Sequence, residues 1–493
     1  MKYLKVSLWG NELGRLVWNP AKRVTYFVFN PKQNNRPDVA PIMYPVGTWN
    51  ESLPIYGDSR RIYHGLPPFI ADSLPDSWGN RLFDKWAKQN HISRNQITPL
   101  FKLMFIGKRS MGALEFEPAA LELEHHDKVD INSLYNLSLQ ILEEKENIEP
   151  GTLEEITMQS LIAVGTSAGG RQMKAIVAMN PITKEIRSGQ INGLEGYEYY
   201  IIKFRDKDVP TTEVEMAFYD MAVASGINME ECMIITVEGI PHFMTRRFDR
   251  NDGEKVHMQT LAAINPEADS YEELLFTCRR LGLSDHEILE VYRRLVFNVL
   301  GNNTDDHNKN FSFLLEKGGK WRLSPAYDMT FIFNRYGSGP ETSHCLSLYG
   351  KTDDISPEDL LDFAKEHNIR GASGIISKVA ESLSSYPQIA EKYNIPNKWN
   401  HIIYKTLQEN LIKFGFEKKT EKIEKLTDSK GRLFSNISIS SNTKGYIEVH
   451  ATIDGNPRKR VIKPNSEIYT SLQAFELNKL NKEESISLME ALF

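Results

Sequence analysis

Residues 302–328 read NNTDDHNKNFSFLLEKGGKWRLSPAYD, and this stretch decides the fold. Asp305 and Asn310 stand five positions apart, the D-x-x-x-x-N spacing of a kinase catalytic loop. A short alternating run from Phe311 to Leu315 follows, then a Lys317-Gly318-Gly319 turn and a second run from Trp321 to Tyr327 that delivers another carboxylate, Asp328. Phosphoryl transfer asks for a carboxylate beside the attacking hydroxyl and for oxygen ligands on Mg²⁺. A loop, a hairpin and a returning Asp put these groups on one wall, so the stretch implies a kinase-like site.

The same spacing also arises in solvated Asn/Asp turns, so its surroundings matter. Ser284-x-x-Glu287 reads as a capping box opening a helix. Ile288, Tyr292, Leu295 and Val299 then recur at helical spacing, and Gly301 sits where a left-handed cap is wanted. The loop is therefore expected at the end of a packed helix that can aim it. Of the two adjacent carboxylates only Asp305 has the offset to Asn310, which makes it the candidate base and leaves Asp306 as a loop or supporting group. His307 is a candidate for contacting phosphate or orienting the base, with a simple turn residue as the alternative. Lys309 is a candidate for stabilising charge on the transferred group.

At 493 residues the length suggests about three domains. A 41% hydrophobic, 25% charged composition supplies enough apolar material for a core. The net charge of −6 gives no general affinity for polyanions, so nucleic-acid contact would need a local patch or a partner. Cys232, Cys278 and Cys345 lie far apart with no CxxC pair, which argues against a disulfide framework or zinc site and suits a reducing compartment. The N-terminus lacks the apolar core of a signal peptide, and no run approaches 18 apolar residues. The expectation is a soluble, cytoplasmic protein without membrane contact.

Along the chain, residues 3–29 read as three strands, followed by a Pro/Asn-rich stretch, a helical segment and a strand near 113–116, so 1–120 reads as one mixed α/β domain. Residues 121–150 read as linker and helix, 151–250 as a nucleotide-binding lobe, 251–415 as a mostly helical catalytic lobe, and 416–493 as a charged linker with a β-rich extension. The extension carries Arg458, Lys459, Arg460 and Lys463, read as a solvated hairpin face rather than a nucleic-acid surface.

A phosphate cradle should precede the catalytic loop. Gly165-Thr166-Ser167-Ala168-Gly169-Gly170 follows an expected helix from Thr152 to Ile162 and enters a strand-like run. Glycines there would let backbone N–H groups approach phosphate, although the loop lacks the Walker A lysine. Tyr197 to Phe204 reads as a strand carrying Lys203, the position where kinases keep a phosphate-pairing lysine. Thr212-x-x-Glu215 reads as a capping box opening the next helix, which accounts for Glu215, with a Glu215–Lys203 ion pair as the alternative. His242 to Arg250 begins as a strand and ends in charge, as a hinge between lobes would.

With these pieces in order, the chain resembles the HipA family of serine/threonine kinases, the toxin halves of bacterial toxin–antitoxin pairs, over roughly 1–370. The likeness rests on N-T-D-D-H-N-K-N at 303–310, S-P-A-Y-D at 324–328 and R-R-F-D-R at 246–250. It is supported by T-S-A-G-G-R-Q-M-K-A at 166–175, I-I-K at 201–203, S-L-P-D-S at 73–77 and G-K-R-S-M-G-A at 107–113. The resemblance implies an α+β fold: a two-lobed, protein-kinase-like core with a mostly helical C-terminal lobe, preceded by a mixed α/β N-terminal subdomain. It implies ATP and Mg²⁺ as cofactors, Asp305 as catalytic base, and Asn310 and Asp328 as metal ligands. Nucleotide contacts are implied for Ser167, Ala168, Gly169, Gly170, Lys174, Lys203, His307, Lys309, Asn310, Tyr327 and Asp328, with the backbone of Arg246, Arg247 and Phe248 holding adenine. Ser167 matches a position autophosphorylated in relatives, where added charge beside the nucleotide would disable binding. The implied partners are a small helix-turn-helix, HipB-like antitoxin and a translation-related protein substrate such as an aminoacyl-tRNA synthetase, with DNA met only through the antitoxin. The chain departs from the family in carrying His257-Met258-Gln259-Thr260 where H-Q-E-D is frequent, and in its long β-rich tail. A small-molecule or lipid head-group kinase, or a catalytically silent antitoxin-binding module, are the competing functions.

Overall fold

A computed structural model of the chain describes residues 3–32, 36–120, 128–142, 172–189, 193–416, 425–441, 447–463 and 482–493, together with positions 468 and 472. The chain divides into two compact units, Met1–Asn410 and Leu411–Phe493.

In the first unit, the alternating apolar residues of the N-terminal segment form strands Leu4–Leu8, Asn11–Asn19 and Val24–Phe29. With Ile55–Tyr56 and Leu114–Glu117 they make a five-stranded antiparallel sheet, Leu114–Glu117 pairing beside the first strand. Leu4, Val6, Leu8, Leu16, Phe27 and Phe29 are buried, the last two with their rings 5.5 and 6.2 Å from that of Phe69. The Ser77–Gln89 helix is capped by Asp76, whose side chain accepts from Gly79 N at 2.6 Å.

A second five-stranded sheet follows, with strands Lys174–Met179, Ile186–Ser188, Glu198–Lys203, Cys232–Val237 and Ile240–Arg246. Its central register puts Lys174 opposite Lys203 and Phe243 opposite Lys203 on the other side. The Thr211–Ala224 helix packs on this sheet. Its N-cap is Pro210, and Thr212 lies buried inside its first turn. The capping box expected at Thr212-x-x-Glu215 is therefore absent, and Glu215 is released for another task.

The segment that follows is mostly helical, with Tyr271–Arg280, Asp285–Gly301, Pro357–Glu366, Ala372–Ser384 and Asn397–Lys413. It also carries a three-stranded sheet of His257–Thr260, Ser312–Leu315 and Trp321–Leu323. The Ser284/Glu287 capping box forms as its sequence predicts. The left-handed cap falls one residue later than expected: Gly301 stays helical and Asn302 takes φ +57°. Asn tolerates this region because its short side chain can bond locally, and here Asn302 Nδ2 reaches the Glu341 carbonyl at 3.0 Å.

The second unit is a four-stranded antiparallel sheet, Lys425–Thr427, Leu433–Ser441, Ile447–Ile453 and Asn456–Ile462, with a Lys482–Leu492 helix. Leu426, Phe434, Val449, Met489 and Leu492 form its core. The terminal helix was not expected from the β-rich reading of the tail. The basic residues lie along the exposed edge strand, where Lys459 pairs with Glu448 at 2.8 Å and Arg460 Nε donates to the Leu492 carbonyl at 2.8 Å.

Candidate active site

The Asp285–Gly301 helix aims both halves of the site. Glu287 caps its start and also accepts from Leu323 N at 2.8 Å, tying down the returning hairpin strand. One turn on, Glu290 accepts from Asn228 N at 3.0 Å and from Arg294 Nε at 3.0 Å, while Arg294 Nη2 donates to the Ser324 carbonyl at 2.8 Å. Ala326 N then donates to the Asn228 carbonyl at 2.8 Å, so the hairpin's exit is held from two sides. The chain reaches Asp328 in the left-handed region, φ +54°. A non-glycine residue is strained there, and the surrounding bonds hold it.

Asp328 ion-pairs with Lys203 at the end of its strand, and Lys203 also pairs with Glu215. Burial disfavours the Lys203 ammonium, but the charges of Asp328 and Glu215 raise its pKa above the ordinary lysine value. Burial likewise opposes the Asp328 carboxylate, yet Lys203 and Lys174 hold it below the usual range, and His307 adds to the effect. Glu215 is pushed up, chiefly by burial and only partly offset by Lys203. One lysine thus bridges two carboxylates of different character, Glu215 enclosed and Asp328 about a third exposed.

In the 305–310 loop, the Asn310 amide donates to the Asp305 carbonyl at 2.7 Å and Asn310 N donates to the His307 carbonyl at 2.8 Å, closing the loop on itself. Asp305 is solvent-accessible, with Cys345 Sγ and His307 Nε2 each 3.9 Å from its Oδ1. Lys309 N donates to His307 Nδ1 at 3.2 Å, which puts the ring proton on Nε2, the nitrogen facing Asp305. Tyr327 donates to the Lys309 carbonyl at 2.7 Å and bonds Ser312, and its ring lies 5.7 Å from that of Phe248.

The remaining sequence candidates are distributed as follows. Ser167, Ala168, Gly169, Gly170 and the Thr152–Ile162 helix lie outside the described residues. Lys174 is buried and its Nζ lies 3.1 Å from Asp76 of the N-terminal subdomain, while Trp78 Nε1 donates to the Lys174 carbonyl at 2.9 Å. Arg246 is exposed and 3.4 Å from Glu198. Arg247 turns its side chain inward onto Asp249, in a fork of 2.9 and 2.8 Å bonds, and its N–H donates to the Tyr199 carbonyl.

Sequence reasoning assigned no role to several groups that complete the site. Asp249 also takes Arg250 at 2.7 Å and the N–H of Gly112 at 2.8 Å, so the 107–113 and 246–250 motifs are two sides of one contact. Gly112 has φ +71°, and a Cβ there would lie 2.7 Å from Met258 N. Gly112→Ala is expected to cost more than about 1 kcal/mol, since neither backbone nor space accommodates the methyl, read as a lowered thermal midpoint. Asp72 accepts from Thr260 N at 2.7 Å and Thr260 Oγ1 at 2.8 Å. Burial raises its pKa although Lys309 lies near enough to oppose the shift. The short motifs at 73–77 and 107–113 contain Asp76 and Gly112, but their partners are distant in sequence, and Asp72 lies just outside the first of them.

The donor set fits Mg²⁺, which takes hard oxygen ligands from one or two carboxylates and completes its shell with phosphate and water. Asp328 is held ionised and Asn310 offers an amide oxygen. Among the described residues there is no group of three or more His, Cys, Asp or Glu placed to hold a metal ion, and no helix long and apolar enough to cross a membrane.

Residues 4–117 match the model of the HipA N-terminal domain, and residues 166–386 that of the HipA-like C-terminal domain. A chain from the solved complex of the Shewanella oneidensis MR-1 toxin–antitoxin proteins HipA and HipB with operator DNA has a similar fold. Its TM-score is 0.57 at 16% identity, covering 83% of this chain and 96% of that one. A Sinorhizobium fredii protein named "Putative kinase Y4dM" is 26% identical over 205 residues, 37% of this chain. The chain spans about half the length of that curated relative.

Proposed function

Because this chain belongs to the HipA family, we propose that it is an ATP- and Mg²⁺-dependent serine/threonine-protein kinase acting as the toxin of a toxin–antitoxin pair in the cytoplasm. The observation that carries this reading is the Glu215–Lys203–Asp328 triad, joined to the Asp305–Asn310 loop through Tyr327, which precedes Asp328 and donates to the Lys309 carbonyl. Lys203, held by Glu215, is positioned to pair nucleotide phosphates, and Asp305 to accept the proton of an incoming hydroxyl. His307 presents its Nε2 proton toward Asp305 and would orient the base. Phe248 and Tyr327 offer an aromatic wall, and the 246–248 backbone a hinge for adenine. Asp328 and Asn310 would hold Mg²⁺, which supplies charge neutralisation on the phosphates. Asp328 is ion-paired with Lys203, so its carboxylate would serve the ammonium and the metal together.

A HipB-like helix-turn-helix antitoxin as partner, DNA contact through it alone, a translation-related substrate and autophosphorylation at Ser167 complete the reading. The test is transfer of labelled γ-phosphate from ATP to protein in an extract. A labelled protein band that vanishes with EDTA, or with Asp328→Asn, is expected. Label appearing only on small molecules would favour a small-molecule kinase instead. Failure to bind Mg-ATP would leave a binding module.

A further inference from the structure

We propose that Asp306 is the positioning residue that fixes the catalytic carboxylate, by clamping the loop to a segment that follows Asp328 in the chain. The inference rests on the reading of Asp305 as base. The two adjacent carboxylates differ in surroundings: the Asp305 side chain is 55% exposed, whereas Asp306 is 1% exposed. The buried carboxylate has partners on both oxygens. Tyr271 donates its hydroxyl to Oδ2 at 2.6 Å, and His344 Nδ1 lies 2.8 Å from the same oxygen. Cys345 N donates to Oδ1 at 2.8 Å, and Leu346 N lies 3.5 Å away.

The clamp reaches further. Asn298, on the Asp285–Gly301 helix, donates to the Tyr271 hydroxyl at 3.0 Å and accepts from Asn303 at 2.9 Å. Cys345 N also lies 3.1 Å from the Thr304 carbonyl. Four segments are therefore bonded together around one side chain: two helices, the catalytic loop and residues 344–346. The D-x-x-x-x-N spacing gives Asp306 no part beyond that of a loop or supporting group. The consequence of its burial is positional: the peptide between 305 and 306 cannot rotate without breaking these bonds. Cys345, placed by the clamp, then borders the base.

The test compares Asp306→Asn with Tyr271→Phe, which removes one hydroxyl and no charge. Asp306→Asn keeps the shape but turns a donor toward Tyr271 and His344. We expect kcat for phosphoryl transfer to fall about 10- to 100-fold, the scale of a misplaced catalytic group, with KM for Mg-ATP within about threefold of wild type. Tyr271→Phe should lower kcat in the same sense, and the double variant should fall no further than Asp306→Asn, because the two share one network. A second readout does not need catalysis. Cys345 is the exposed cysteine while Cys232 and Cys278 are buried, so its alkylation by iodoacetamide reports the loop. Tyr271→Phe should accelerate it, and this variant carries the test if Asp306→Asn does not fold. Unchanged kcat and unchanged alkylation, with Asp305→Asn inactive, would overturn the positioning role. Full transfer by Asp305→Asn would instead overturn the base assignment on which it stands.

Discussion

Asp305→Asn should reduce phosphoryl transfer by about 10²- to 10⁴-fold, the contribution of a positioned general base, while leaving nucleotide binding nearly intact. The side chain is solvent-accessible and is not among the groups read as phosphate or metal contacts, so its loss removes a proton acceptor without removing either. Isothermal titration with Mg-ATP and a labelled-phosphate assay on the same preparation separate the two effects. Retention of more than about a tenth of wild-type transfer would show that the acceptor hydroxyl is activated elsewhere. Relief of growth inhibition by the same substitution is the expected result in cells.

Asp249→Ala should destabilise the first unit by about 3–5 kcal/mol, because it leaves two buried arginines without their counter-ion. Asp249, Arg247 and Arg250 are all essentially inaccessible. Burial opposes the Asp249 charge, but Arg247 and Arg250 hold its carboxyl far below the ordinary range. A depressed acid contributes stability that is present above its unfolded pKa, about 3.9, and is lost as pH falls through that value toward the folded one. Urea denaturation at neutral pH should show the full deficit of the variant, and the difference from wild type should shrink below about pH 4. A deficit under about 1 kcal/mol at neutral pH would mean that the arginines find other acceptors.

Much of this architecture is legible in local sequence because its signals are local. The alternation in LKVSL, LVW and VTYFVF gives three strands of the first sheet, and the capping box at Ser284 marks the helix that carries the loop. Local signals also misled. Thr212-x-x-Glu215 has the spacing of a cap, but the helix begins earlier, after Pro210, and Glu215 turns to Lys203. Gly301 has the freedom for a left-handed cap, yet Asn302 takes it with a bond of its own. The Lys482–Leu492 helix hides behind three strands of β-rich sequence, although Leu488, Met489 and Leu492 share a buried face. Contacts such as Asp76 with Lys174 or Asp249 with Gly112 join residues 98 and 137 positions apart. No periodicity encodes them, and only the folded chain reveals which motif meets which.

The bonds between the first 120 residues and the rest of this unit have a practical meaning. Asp76 neutralises Lys174, Glu115 neutralises the nearly enclosed Lys255, Gly112 completes the shell of Asp249, and Tyr63 donates to the Ala262 carbonyl at 2.9 Å. Expressing the chain without this segment would leave Lys174, at the start of its strand, and Lys255 each stripped of its anion. The portion that carries the candidate site is thus electrostatically incomplete without its amino-terminal companion.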